Sequence, residues 1–210
     1  MKTMHIDDVL DRAHVVSLPL AVRFRGITTR EALLIEGPAG WGEFAPFLEY
    51  GPAESAAWLR AGLEAAYEGF PEPVRDSIEV NATIPAVPAS EVPAVVERYP
   101  GCRTFKIKVA EKGHTLADDA ARVRAVRDAV TQRGDIPILR VDANGGWTVD
   151  EAVEAAQMMM PLDYMEQPCA TTEELAQVRG RLMRAGLFVR VAADESIRKV
   201  ADPYRVAELQ

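Results

Sequence analysis

The sequence predicts an α/β protein: a (β/α) barrel of the TIM type, incomplete at its C-terminus, behind an N-terminal α+β capping domain. Three observations predict it. After about residue 77 the chain alternates short apolar runs with longer amphipathic ones, the order that builds a parallel sheet covered by helices. Three amphipathic runs open on a threonine followed three residues later by an acid. Three successive apolar runs end in a carboxylate. The expected division is 1–77 for the capping domain and 78–210 for the first part of the barrel.

In the first part, apolar stretches at 15–24, 30–36 and 41–47 are separated by turn residues, Gly37-Pro38-Ala39-Gly40 among them. This predicts a small antiparallel meander. A helix is expected over 54–67, with Trp58, Leu59, Leu63 and Ala66 on one side, and Pro71 and Pro73 then mark a linker.

In the second part, strands are expected at 78–84, 104–109, 138–142, 164–166 and 188–193. Thr115 with Asp118, Thr148 with Glu151 and Thr171 with Glu174 have the capping-box spacing: the hydroxyl accepts from the third helical N–H and the acid reaches back. Leu116, Ala120, Val123, Val126 and Val130 form one apolar stripe, and Leu175, Val178 and Leu182 another. Gly134 and Gly186 end two helices, and Asp202-Pro203 opens a last one with Asp202 as its cap. No GxGxxG follows the first strand and no GxxxxGK[ST] occurs, which removes the main support for a nucleotide-binding open sheet.

Hydrophobic residues at 48% of 210 are enough for a buried core. The formal net charge of −8 argues against a nucleic-acid binder, which needs clustered lysine and arginine. Cys102 and Cys169 are too few for a disulfide framework and form no CxxC, so free thiols in a reducing compartment are expected. Residues 1–10 carry Asp7 and Asp8 and no apolar core of a signal peptide, and no stretch approaches the ~20 apolar residues of a membrane helix. A cytoplasmic protein with no membrane or nucleic-acid partner is expected; the composition leaves the oligomeric state open.

The strand ends carry the chemistry. Asp142, Glu166 and Asp194 close three successive strands, and in a parallel barrel such positions meet at the rim where active sites are built. Three carboxylates at one place repel each other, and a hard divalent cation such as Mg²⁺ relieves the repulsion. The competing reading is three helix caps or surface acids. One strand earlier, alternation sets Lys106 and Lys108 on one face and Phe105, Ile107 and Val109 on the other. Both lysines then point into the barrel, where burial and positive neighbours favour the neutral, basic form. The competing reading is an exposed edge strand guarded by lysines. Arg140 and Asn144 share the parity of Asp142 and either flank the site or pack in the barrel. Trp41 and Phe44 either wall a substrate or fill the small core. His5, His14 and His114 are isolated and show no ligand spacing.

Lys-Ile-Lys on one strand, Asp142-Ala143-Asn144, Glu166-Gln167-Pro168 and Asp194-Glu195-Ser196 on the next three resemble the enolase superfamily in its muconate-lactonizing subgroup. Arg23-Phe24-Arg25-Gly26-Ile27-Thr28, the run from Gly40 to Tyr50, and Ala192 to Arg198 resemble its o-succinylbenzoate synthase family. The resemblance implies that Lys108 is the acid/base, that Asp142, Glu166 and Asp194 hold Mg²⁺, and that Lys106 adds positive potential. It implies that Glu195 orients neighbours. The implied substrate is a small carboxylate, losing the proton α to its carboxylate and then a β-hydroxyl as water, in menaquinone biosynthesis. Racemases of N-succinylamino acids, dipeptide epimerases and cycloisomerases of the same superfamily remain alternatives, as do a Schiff-base lyase built on either lysine and an inactive fragment. The resemblance also implies closing strands and a second catalytic lysine after Gln210, without which the 210 residues are expected to be poorly soluble and inactive.

Overall fold

In the computed structural model, residues 5–24 and 26–209 are described. Arg25 and the side chains of Arg23 and Phe24, part of one run quoted above, lie outside the described residues, as do residues 1–4 and Gln210. The chain divides into two compact units, Met1–Asp76 and Ser77–Gln210.

In the first unit, a one-and-a-half-turn helix α1 (Ile6–Leu10) precedes strands β1 (Ala13–Phe24), β2 (Ile27–Gly37) and β3 (Gly40–Phe44), then helix α2 (Pro52–Tyr67). The strands pair antiparallel in the order β1-β2-β3, the expected meander. Ile35 and Ala66 are fully buried, and Leu33, Phe44, Leu59 and Leu63 pack on their cluster. Phe44 is thus a core residue, whereas Trp41 stands 55% exposed against the His14 ring. The second glycine of the Gly-Trp-Gly run is required by α2: a Cβ at Gly42 would overlap the Gly62 carbonyl oxygen, and one at Gly62 would sit 2.6 Å from the Glu43 carbonyl oxygen. β3 stops at Phe44, earlier than expected, where its register with β2 reaches Leu33 and the chain turns away toward α2.

The second unit is a five-stranded parallel sheet in sequential order, β4 (Ala82–Ile84), β5 (Thr104–Lys108), β6 (Ile138–Asp142), β7 (Tyr164–Glu166) and β8 (Arg190–Ala192). Between the strands lie α3 (Val92–Val96), α4 (Leu116–Gln132), α5 (Val149–Met159) and α6 (Thr172–Arg184), and α7 (Asp202–Glu208) follows β8. Ile84, Phe105, Ile107, Val141 and Met165 on the strands are fully buried beside Val123, Val126, Val130, Ala156 and Val178 on the helices. Among the described residues no helix is long and apolar enough to cross a membrane.

Three expectations need correction. The first strand is three residues long, not seven. Ala82 pairs with Phe105, and β5 begins at Thr104, so 78–80 have no neighbour to bond; Ile78 and Val80 are exposed. β8 is short for the same reason: Arg190 pairs with Tyr164, the first residue of β7, leaving Phe188 88% exposed. Helix α7 is capped at Ala201 rather than Asp202, whose carboxylate instead accepts from the Lys199 amide at 2.8 Å. The two short helices α1 and α3 were not expected. In α3, Pro93 sits in the first turn, where its missing N–H costs nothing, and Val92, Val95 and Val96 are buried.

All three capping boxes form, with hydroxyl and carboxylate bonds both present at Thr115/Asp118, Thr148/Glu151 and Thr171/Glu174. The amide and hydroxyl of Thr148 donate to Glu151 and hold its carboxyl below the ordinary value. A depressed native pKa contributes stability that is present above the unfolded pKa and lost as pH falls through the native one. Glu151→Ala is therefore expected to lower stability by about 0.5 kcal/mol at pH 7, solvent screening of this exposed carboxylate keeping the effect small, with the gap to wild type closing in acid. Urea unfolding at pH 7 and pH 3 measures both.

Candidate active site

The parallel register sets functional side chains in rows. Lys108 pairs with Asp142, Asp142 with Glu166, and Glu166 with Ala192. Lys108, Asp142 and Glu166 therefore stand side by side at the C-terminal ends of three neighbouring strands, with Asp194 two residues beyond Ala192. The row beneath is Lys106, Arg140, Tyr164 and Arg190. The apolar residues of β5 take the opposite face, with Phe105 and Ile107 fully buried and Val109 4% exposed. An edge strand guarded by lysines does not describe β5, which has neighbours on both sides.

Both lysines turn toward the carboxylates. Lys108 Nζ donates to Asp142 Oδ2 at 2.6 Å and to Asn144 Oδ1 at 2.8 Å. Lys106 Nζ reaches up from the lower row to Glu166 Oε1 at 2.7 Å and Asp142 Oδ2 at 3.1 Å. Burial pushes the Asp142 carboxyl up, but the Lys108 and Lys106 ammonium groups outweigh it and hold it below its ordinary value. Glu166 goes the other way. Burial and repulsion from Asp142 and Asp194 raise it against the hydrogen bond from Lys106. For Lys106 the expected drift to the neutral form is overturned. Burial does work to lower its pKa, but the bonds to Glu166 and Asp142 prevail and the ammonium is held above its ordinary range.

Around this row the backbone is bent into an unusual shape. Among the described residues, the non-glycine positions with positive φ are Ala110 at 58°, Asn144 at 46° and Gln167 at 35°, each one or two residues past the end of β5, β6 or β7. Side chains with a Cβ enter this region at a cost, and such strain gathers where function requires it. It turns Asn144 so that its side chain joins Lys108 to Glu195 Oε1, the latter at 3.0 Å.

Gln167 received no role from the sequence, yet it ties two strand ends together. It is fully buried, and its Oε1 accepts from the amides of Asp194 at 2.9 Å and Ser196 at 3.1 Å. Its Nε2 donates to the Cys169 carbonyl at 2.9 Å and the Ser196 hydroxyl at 2.7 Å. The signal available was its place directly after Glu166. Nothing in the sequence identified its partner, 27 residues away. Arg140 lies in the lower row, on Asp163 at 2.9 Å, on Asn81 at 2.8 Å and over the Tyr164 ring, so it packs the barrel and does not flank the strand-end carboxylates. Cys169 is buried, and burial pushes its thiol up to about 11, which leaves it unreactive.

The donor set suits a hard cation. Asp142, Glu166 and Asp194 supply oxygen only, their mutual repulsion is visible at Glu166, and Glu195 Oε2 is buried without a hydrogen-bond partner. As they stand, no three His, Cys, Asp or Glu side chains among the described residues form a ligand cluster. The two lysine ammonium groups occupy the near sides of Asp142 and Glu166.

The chain belongs to the enolase C-terminal domain-like family, whose model matches more than half of it. Residues 89–210 match the enolase C-terminal domain-like family, and residues 15–66 match the enolase N-terminal domain-like family. The chain is similar to the o-succinylbenzoate synthase of Mycolicibacterium smegmatis, 59% identical over 204 residues that make up 96% of this chain and 60% of that protein. It is 57% identical over 205 residues to the o-succinylbenzoate synthase of Mycobacterium marinum, covering 96% of this chain and 59% of that one. The chain thus spans about three fifths of the length of the curated relatives it matches. Its fold is shared by the o-succinylbenzoate synthase of Thermosynechococcus elongatus BP-1 complexed with Mg in the active site. The TM-score is 0.63 at 20% identity, over 93% of this chain and 72% of that one.

Proposed function

We propose that this chain carries the metal-binding half-site and the acid/base lysine of an o-succinylbenzoate synthase acting in the cytoplasm. The observation that supports this most is the single row of Lys108, Asp142 and Glu166 across three strand ends, with both ammonium groups directed onto the carboxylates. The mycobacterial relatives that bear this name support the choice of reaction.

In this reading the substrate is 2-succinyl-6-hydroxy-2,4-cyclohexadiene-1-carboxylate. Lys108 Nζ, at the end of β5 and acting as the neutral amine, takes the proton from the carbon α to the carboxylate. The electron pair of that C–H bond forms the new double bond as the β C–O bond breaks. The hydroxide leaves with that proton as water, and the ring becomes aromatic. Lys106, bonded to Glu166 and Asp142, stays an ammonium and contributes positive potential where negative charge develops. Asp142, Glu166 and Asp194 would hold Mg²⁺, which supplies Lewis-acid stabilisation of the carboxylate when bound. Asn144 and Glu195 keep Lys108 on its line to the substrate.

The test is direct. Purified protein of the relatives' full length, carrying these 210 residues, is given the cyclohexadiene substrate with Mg²⁺, and formation of the aromatic product is followed by absorbance. A parallel sample in D₂O with an N-succinylamino acid is followed by NMR for α-proton exchange. Mg²⁺-dependent aromatic product is the expected result. Exchange without dehydration would move the assignment to the racemases, and neither activity would reject the reading.

A further inference from the structure

The largest fully buried side chain among the described residues is an arginine that the proposed reaction does not use. Arg122, on α4, is 1% exposed. Its Nη1 donates to the Lys108 carbonyl oxygen at 3.0 Å and to Asp119 Oδ1 at 2.7 Å, and its Nε donates to the Val87 carbonyl at 2.6 Å. Its Nη2 lies 2.8 Å from His114 Nδ1, which accepts because a guanidinium has only donors. Asp119, equally buried, turns its second oxygen to the Ala110 amide at 2.9 Å. The pair therefore grips the carbonyl before Val109 and the amide after it, across the turn where Ala110 takes its positive φ.

A buried ion pair is a poor device for stability alone, because apolar residues of the same size stabilise as well or better. What this pair does that apolar residues cannot is hold backbone groups at fixed points in space. Those groups belong to the end of β5, to which Lys108 is attached. The geometry points to Arg122 as a positioning residue, acting with Asp119 to hold the β5 end so that Lys108 Nζ stays in the strand-end row. This rests on the reading that Lys108 transfers the proton.

The test uses Arg122→Lys, which cannot bridge the Lys108 carbonyl, the Val87 carbonyl and Asp119 together. The Mg²⁺-loaded variant is expected to lose about 10–100-fold in kcat, with KM changed by less than about twofold. Val130→Ala, fully buried near the other end of α4, is the control: it lowers the melting temperature but leaves kcat unchanged. A second readout needs no turnover. Amine-reactive labelling, mapped by mass spectrometry, should change severalfold at Lys108 relative to exposed Lys112 in Arg122→Lys and stay constant in Val130→Ala. Asp119→Asn is the second variant, and it should reproduce both effects. Folded variants with wild-type kcat and wild-type labelling overturn the proposal. So does failure of both to fold, since the pair is then a requirement of the fold. A wild type without dehydratase activity would reject the proposed function yet leave the labelling comparison decisive for the positioning role.

Discussion

Lys108→Ala is expected to lower turnover by roughly 10²–10⁴-fold, the range that a positioned proton-transfer group contributes. The residue stands at the end of β5 with its Nζ 2.6 Å from Asp142 and 2.8 Å from Asn144, and it is not among the proposed metal ligands. On the proposed reading, its removal takes away the acid/base and leaves all three carboxylates in place. Mg²⁺ binding, followed by calorimetry, should survive. Lys106→Ala is expected to be damaging but not null, because Lys106 acts through charge: it remains an ammonium between Asp142 and Glu166. Near wild-type turnover in Lys108→Ala would remove the acid/base assignment, and loss of Mg²⁺ binding there would mean that the lysine organises the carboxylates.

Gln167→Met is the second large effect. Methionine has almost the same shape but none of the polar atoms, so the Asp194 and Ser196 amides and the Cys169 carbonyl lose their buried partner. Each buried group left unsatisfied costs about 1–3 kcal/mol, and a total of about 3 kcal/mol or more is expected from chemical denaturation. The loss should also be functional. Gln167 sets the backbone of Asp194 against the end of β7, and if Asp194 holds Mg²⁺ as proposed, a group that orients it is worth about 10–100-fold in affinity. Mg²⁺ titration of the variant, at a temperature where it is folded, should show that weakening. An unchanged midpoint would mean that Asp194 does not ligate or needs no such support.

The architecture was legible because its signals are local. The bounds of β6 and β7 were read without error, since each is an apolar run flanked by turn residues and closed by an acid. The capping boxes were read because hydroxyl and acid lie three residues apart and bond to each other. The facing of Lys106 and Lys108 followed from strand parity alone, and their pairing with Asp142 and Glu166 places them on the side that parity required. The errors arose where length depends on a neighbour. Residues 78–84 have the composition of a strand, but register against β5 leaves only Ala82–Ile84 with bonding partners. The proline-rich segment before β5 hid α3, because a proline in the first helical turn looks the same in sequence as one that breaks a helix.

The sequence by itself determined the fold class, the order of strands and helices, the strand-end acids and the side of β5 from which the lysines project. Those features rest on periodicity and on contacts within four residues, which a linear pattern records. Only the tertiary structure decided the protonation and pairing of the groups and which polar residues support them. Lys106 is an ion-paired ammonium because Glu166, 60 residues on, lies within 2.7 Å of it. Gln167 and Arg122 are buried because acceptors and donors as far as 29 and 35 residues away saturate them, whereas in sequence each reads as an ordinary polar residue. A polar group can be buried only when such partners converge on it, and the convergence is a property of the folded chain.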